Sequence, residues 1–346
     1  MKDKNILLNW ILAIILSIIL FSCHKEPTKF QWQPAISAPK FYPIGGVSVG
    51  FNGAGHGSLT NFDNGWGDQY GSVVSGDRYK EVPKEVHIKY YSAVDNLKYE
   101  GTVQLPQEKL LSLFREYNKK YHEKMGEKKT AGFSANLIVG MAPGGWIRVW
   151  FLTSDFGKFQ HIEVAKAQLK GFEDPTIGEG FRYKTDDYWT KYKNYWKHHG
   201  IPYQAWANNE KTYTLYFELE KTNKTQIGMS YVSLDGTYYQ NIINNQYSYN
   251  KKLPTRMTIC WLDQSKQDYC CKIDFPNGFQ KLVEDQKSKE VRIRLEIEKD
   301  EQHGIIYLIS NNQKIKILRF KNKMPSPEER KNIDYASSTE VEYFIK

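Results

Sequence analysis

Asp63 and Asp68 stand five residues apart on either side of Trp66, with Tyr70 close behind, in the stretch NFDNGWGDQY. Paired carboxylates flanking an aromatic ring suit glycoside hydrolysis, in which one carboxyl protonates the leaving oxygen and the other acts as base or nucleophile. An exposed aromatic in the same place can instead stack on a sugar or fill a protein pocket. Trp66 and Tyr70 are expected to be exposed in this polar, glycine-rich loop, so Asp63, Trp66, Asp68 and Tyr70 form the candidate ligand-binding set. His56 and the pair His198-His199 are the remaining acid–base or ligand candidates. For that pair the expectation is structural, because histidines in a helix's last turn suit the negative end of its dipole.

Other chemistries are excluded by spacing. The run GGVSVGFNGAGHG is not followed by the Gly-Lys-Ser/Thr of a phosphate loop, and Gly53, Gly55 and Gly57 do not have the dinucleotide spacing. Neither a His-Glu-x-x-His helix nor a Gly-x-Ser-x-Gly nucleophile elbow is expected. Beyond Cys23 there are Cys260, Cys270 and Cys271. A hairpin turning at Gln264-Ser265-Lys266 sets Cys260 opposite Cys270, and a register one residue away sets it opposite Cys271. A disulfide closing so short a loop contributes about 2–3 kcal/mol. Zinc would need a fourth ligand nearby. No enzyme activity, metal or cofactor is expected.

The chain opens on a basic segment, Met1 to Asn5, and then runs apolar from Ile6 to Phe21 before Ser22-Cys23. A spanning helix wants about 20 apolar residues, and a small residue before cysteine marks a bacterial lipoprotein signal. Residues 1–22 are therefore expected to be removed and Cys23 to carry lipid, with 23–31 as a tether. Several acyl chains, at about 0.8 kcal/mol per buried methylene, anchor a protein without a spanning helix. The expected place is the outer membrane, with the leaflet open. The formal charge of +9 becomes +8 once Lys2, Asp3 and Lys4 leave. The basic residues are spread out, and nucleic acid is not expected as a partner.

The remaining pattern predicts an α+β fold, predominantly antiparallel β as sheets or a sandwich, with one or two amphipathic helices on a sheet face. Strands are expected at Ile44 to Phe51, in EVHIKYYS and LKYEGTVQL around Asp95-Asn96, and in SANLIVGM and GWIRVWFLTS around Pro143-Gly144, a type II turn pair. Alternation in the last strand suggests that both of its faces are covered. Leu110, Phe114, Tyr117 and Tyr121 follow helical spacing within 106–126, with Gly126 as the stop. A second helix is expected over 185–199, with Thr185 as its cap. From residue 211 short strands follow one another to 346, with Asp235-Gly236 and Asn311-Asn312 as turns, and no internal repeat is visible.

The succession Trp32, Pro39-Lys40-Phe41-Tyr42-Pro43, Gly65-Trp66-Gly67, Pro83-Lys84-Glu85-Val86-His87-Ile88, Leu105-Pro106, Leu113-Phe114 and Pro143-Gly144-Gly145-Trp146 to Trp150 resembles an uncharacterised bacterial lipoprotein family, the domain of unknown function 2931 (DUF2931). The likeness runs over roughly residues 30–210 of this sequence, ending at Ile201-Pro202 and Trp206, and departs at Tyr90-Tyr91, where a tryptophan is expected first. It implies an envelope lipoprotein without known catalytic residues. The expected function is non-catalytic recognition or assembly at a membrane, with an envelope protein or a glycan as partner. The alternatives are an immunity lipoprotein that neutralises a periplasm-targeted toxin and a carbohydrate-active enzyme.

Overall fold

The computed structural model describes residues 27–71, 76–125, 133–155, 158–174, 186–220, 227–240, 248–262, 268–310, 313–322 and 339–345. The expected signal segment and Cys23 lie outside these residues. So do Thr185, Gly126, the Gln264-Ser265-Lys266 turn and Asn311-Asn312.

Alternation built the strands where it was expected. β2 (Ile44–Phe51), β5 (Glu85–Ser92), β7 (Ala135–Met141) and β8 (Trp146–Asp155) bury one residue in two or more, and β6 (Leu97–Gln104) buries Lys98, Tyr99 and Val103. Between β7 and β8, Gly144 takes φ 75° and ψ 11°, the backbone that the second central position of a type II turn requires. Ile147, Val149 and Phe151 face one core and Trp146, Trp150 and Leu152 another, so β8 is covered on both faces. Helix α1 (Gln107–Met125) turns Leu110 and Phe114 inward. There Phe114 meets Phe30 and Phe151 at 5.1 and 5.0 Å.

β1 (Lys29–Ser37) takes in the last residues of the expected tether, because Phe30 and Trp32 are buried. It runs parallel to β7, with Trp32 opposite Ala135. With β3 (Ala54–Ser58), β4 (Tyr79–Glu81), β9 (Lys158–Gln168) and β10 (Gly171–Phe172), these strands form two five-stranded sheets, ordered β4-β1-β7-β8-β9 and β10-β6-β5-β2-β3. Their facing sides share one core with α1.

After α2 (Asp186–His199) and α3 (Tyr203–Asn208) come β11 (Tyr213–Leu219), β12 (Ile227–Ser233), β13 (Tyr238–Tyr239), β14 (Ser248–Lys251), β15 (Pro254–Leu262), β16 (Asp268–Asp274), α4 (Phe279–Asp285), β17 (Glu290–Ile297), β18 (His303–Ser310), β19 (Gln313–Asn322) and β20 (Thr339–Tyr343). Their sheets are ordered β14-β11-β17-β18-β19-β20 and β13-β12-β15-β16. Adding ten to each strand number from β1 to β9 reproduces this arrangement, including the parallel pair β11–β17 and the helix before it.

The expectation of no repeat is therefore corrected: the chain folds as two successive copies of one topology. Cross-strand detail repeats as well. Leu105 N–H donates to Lys84 O and Phe275 N–H to Thr255 O, both at 2.7 Å. The likeness escapes the letters because a half-buried strand needs apolar residues at alternate positions, and many different residues meet that need.

In the second copy Cys260 lies opposite Cys270 and is bonded to it, which selects the first of the two expected registers. Cys271 lies opposite Ile259, buried and unbridged, and burial pushes its thiol up.

Candidate functional site

The loop from Asn61 to Gly71 is strapped to the first copy by main-chain bridges, Ile36 with Tyr70 and Ile44 with Phe62. Ser37 Oγ donates to Gly65 O at 2.7 Å and accepts from Gly67 N–H at 2.8 Å. Asn64 Oδ1 accepts from Ala38 N–H at 3.0 Å. Held this way, the loop turns Trp66 inward. Its ring, 4% exposed, meets Trp150 edge-on at 5.1 Å, and Trp150 stacks on His161 at 5.4 Å. The expected exposure of Trp66 is corrected: an indole gains more by closing this aromatic core than by standing in water. Tyr70 is 38% exposed and stacks on Phe62 at 4.5 Å.

The two carboxylates serve different partners. Asp63 Oδ2 accepts from Phe41 N–H at 3.0 Å, and Oδ1 lies 3.6 Å from Lys40 Nζ. Asp68 is pushed up to about 6 by burial, against the opposing charges of Lys251 and Lys252 in the second copy. The loop therefore looks across to the other half of the molecule.

What it meets there is the turn after β12. Gly236 O accepts from both Lys40 N–H and Trp66 N–H at 2.9 Å. Gly236 needs its φ of +80°, and a Cβ there would stand 2.6 Å from Pro39 Cβ and 2.7 Å from Lys40 N. Beside it the buried Asp235 accepts from Ser233 Oγ and Thr237 Oγ1 at 2.8 Å, from Thr237 N–H at 3.0 Å, and from Lys252 Nζ. Burial would raise this carboxyl, but the Lys252 ammonium and these donors outweigh burial and hold it low. Glu210 Oε2 accepts from Asp235 N–H at 3.0 Å. Burial, with the charge of Asp235, pushes Glu210 up to about 8.

Two helices complete the joint. Trp206 of α3 is fully buried, donates from Nε1 to Asp235 O at 2.9 Å, and packs edge-on against Tyr42 at 5.0 Å. Its carbonyl accepts from Arg148 at 2.6 Å, while the same guanidinium holds Glu163 at 2.7 and 2.6 Å. At the end of α2, His199 Nε2 lies 2.9 Å from Asp274 Oδ1. Arg256 grips Asp274 at 2.6 and 2.8 Å. Burial acts to raise Asp274, but the bonds from His199 and Arg256 prevail and hold it well below the usual range. Burial lowers His199 in turn, with Asp274 opposing. His198 Nε2 stands 3.4 Å from Phe275 O. A cleft of about 200 Å³ opens beside them, lined by His199, Glu210, Thr255, Phe275, Asn277 and Gln280.

Except for His56, which sits in β3 opposite Val49 and beside Gly71, the sequence candidates converge on a seam between the two copies. Arg148, Glu163, Glu210, Asp235, Lys252, Arg256 and Asp274, which complete it, gave no spacing signal, because each finds a charged partner or a partner on another element 15 or more residues away. Asp235-Gly236 was visible only as a turn.

Two other constellations are accounted for locally. Gly46-Val47-Ser48-Val49-Gly50 carries the Gly-x-Ser-x-Gly letters that the expectation of no elbow overlooks. Yet Ser48 sits inside β2, opposite Gly57 and Lys89, and not at a strand-to-helix turn. Glu298, Asp300 and His303 bring ligand atoms within 4.8 Å of one another. Arg319 holds both oxygens of Glu298 at 2.7 and 2.9 Å, and Asp300 accepts the Gln302 and His303 N–H groups at 3.1 Å, so an ion pair and a turn explain them.

No curated protein and no solved structure matches the chain significantly. A family model does match, over residues 22–204, which takes in the first copy, the Asp63–Tyr70 loop and α2. With the order of its motifs now placed on one folded unit, the chain belongs to the family described as protein of unknown function (DUF2931).

Proposed function

We propose that this chain is a lipid-anchored protein of the bacterial outer membrane, held at Cys23, that acts by recognition or assembly and not by catalysis. The observation that carries the non-catalytic reading is the seating of Gly236 on Lys40 and Trp66. Of the residues best suited to sugar chemistry, Trp66 is bonded to Gly236 of the second copy, Asp68 faces the charges of Lys251 and Lys252 there, and Asp63 is taken up by Phe41 N–H and Lys40. Tyr70 and the cleft beside His199 and Glu210 are left to face a partner, whether an envelope protein, a glycan or a toxin. The anchoring reading rests on the apolar run that ends at Phe21-Ser22-Cys23.

Two experiments test it. In a bacterial host fed a clickable fatty acid, the wild-type chain takes up label and sediments with outer membrane, whereas Cys23→Ser takes up none and becomes soluble. An unlabelled wild type overturns the anchor. Turnover of an envelope glycan or lipid by the soluble chain, lost in Asp63→Asn or Asp68→Asn, overturns the non-catalytic reading.

A further inference from the structure

The described chain begins against α1. Arg115 Nε donates to Pro27 O at 3.4 Å, and Pro27, Glu108, Leu111, Ser112, Arg115 and Lys119 line a shallow groove between tether and helix. Two residues later Lys29 enters β1, which is fixed by pairing with β4 and β7 and by the stack of Phe30 on Phe114. The point where the tether leaves the fold is therefore set by packed structure.

Cys23 precedes Pro27 by four residues. At about 3.6 Å per extended residue this segment spans no more than about 14 Å. A lipidated sulfur sits at the base of a headgroup layer roughly 5–7 Å deep in each leaflet. Less than about 10 Å then remains between headgroups and Pro27, comparable to one helix diameter.

Resting on the lipid-anchor reading above, we infer that the solvent-facing side of α1 lies against the headgroup layer of the membrane that holds Cys23. The second copy then points away from that membrane. α1 packs on Phe151, on the inner face of the β4-β1-β7-β8-β9 sheet, whereas α3 and the Gly236 turn gather on the opposite face with Trp150 and Trp66. The sheet stands between them.

The exposed stripe of α1 suits a headgroup layer and not the hydrocarbon beneath. Glu108, Ser112, Glu116, Lys119 and Glu123 are polar or charged, while Leu110, Phe114 and the flanking Leu111, Leu113, Tyr117 and Tyr121 belong to the core. A helix that inserts needs an outward apolar face. Here the tether imposes proximity, and the contact is correspondingly insensitive to salt.

The test uses the full lipidated chain in vesicles of phosphatidylethanolamine and phosphatidylglycerol that carry an acceptor dye on the headgroup. Single donor dyes are placed through Lys119→Cys or Glu108→Cys on α1, and through Glu301→Cys in the β17–β18 turn of the second copy. The disulfide pair and the buried Cys271 stay unlabelled without reductant. Both α1 positions should transfer at least about twofold more efficiently than Glu301, given the tether's reach. Equal or reversed transfer, in protein whose vesicle binding is lost in Cys23→Ser, overturns the orientation and leaves the anchor intact. Wild-type protein that does not bind the vesicles overturns the anchor and the orientation with it.

Discussion

Outside the β4-β1-β7-β8-β9 sheet lie Trp150, Tyr195 and Trp206 with the buried guanidinium of Arg148; outside the corresponding sheet of the second copy lie Tyr216, Arg292, Arg294, Lys314 and their carboxylates. The inner faces match in kind: Leu137, Val139 and Met141 in one, Val291, Ile293 and Leu295 in the other. One topology thus tolerates a dry aromatic joint or a wet lattice of ion pairs on its outer face, because the inner face alone drives collapse. The outer face is where the copies specialise. The first is made to receive a partner from the same chain; the second leaves its sheet open, with Glu218 bridging Arg292 and Arg294 at 3.1 and 2.9 Å.

Stability measurements on matched arginines test this contrast most directly. Arg148→Ala leaves the buried Trp206 carbonyl unpaired and takes the guanidinium from Glu163, whose side chain is a third exposed, so it is expected to fall at the lower end of about 3–5 kcal/mol in denaturant unfolding. Trp206→Ala should fall in the same range of about 3–5 kcal/mol by opening a cavity. If either costs no more than a surface substitution, the joint is not the firm half of the comparison.

Next in size is a pH effect of the joint. An unfolded glutamate titrates near 4.5, but Glu210 is held up to about 8. Between those values the folded chain keeps a proton that the unfolded chain has lost, so stability falls as pH rises from about 4.5 to about 8. The change is on the order of 3 kcal/mol after allowance for partial solvation. Glu210→Gln should flatten that slope in urea midpoints taken across the window. Asp235 and Asp274, held low, act in the opposite sense. Their contribution is full above the ordinary carboxylate value and is lost as pH falls below it.

The second copy has a covalent brace of its own. Replacing Cys260 and Cys270 together by alanine should cost about 2–3 kcal/mol, since the loop is short. Thermal melts should show the loss in the oxidised protein and none relative to reduced wild type. Smallest is Arg294→Ala, expected at about 1 kcal/mol or less because the pair is open to water. A cost equal to that of Arg148→Ala would erase the distinction between the two faces.

Legibility in the sequence follows the same inner and outer division. β2, β5, β6, β7 and β8 and the spacing of Leu110 and Phe114 were readable because alternation and helical period are local. The short helices α3 and α4, of six and seven residues, are too brief to show a period. The parallel neighbours β1 and β7 were hidden because partner choice across so much chain has no local signature. Trp66 misled because Gly65, Gly67 and Asp68 suggest a wet loop, while its ring finds Trp150 from a distant strand. Of the repeat, only small echoes survive in letters, Val82-Pro83 with Leu253-Pro254 and Leu105-Pro106 with Phe275-Pro276.

The parallel pair in each copy also sets the order in which the chain can become native. β1 waits for β7, whose Ala135 lies about a hundred residues after Trp32, and β11 waits for β17 in the same way. Contacts of such sequence separation close late and slowly, since the intervening loop must first lose its entropy. A chain that emerges from its N-terminus therefore presents the β7 side of β1, from Trp32 to Ser37, unpaired until β7 follows, because β4 pairs only with Lys29 to Gln31. Through that interval the first strand is an open edge available to other chains, and a carrier that shields nascent strands would have its longest task at β1.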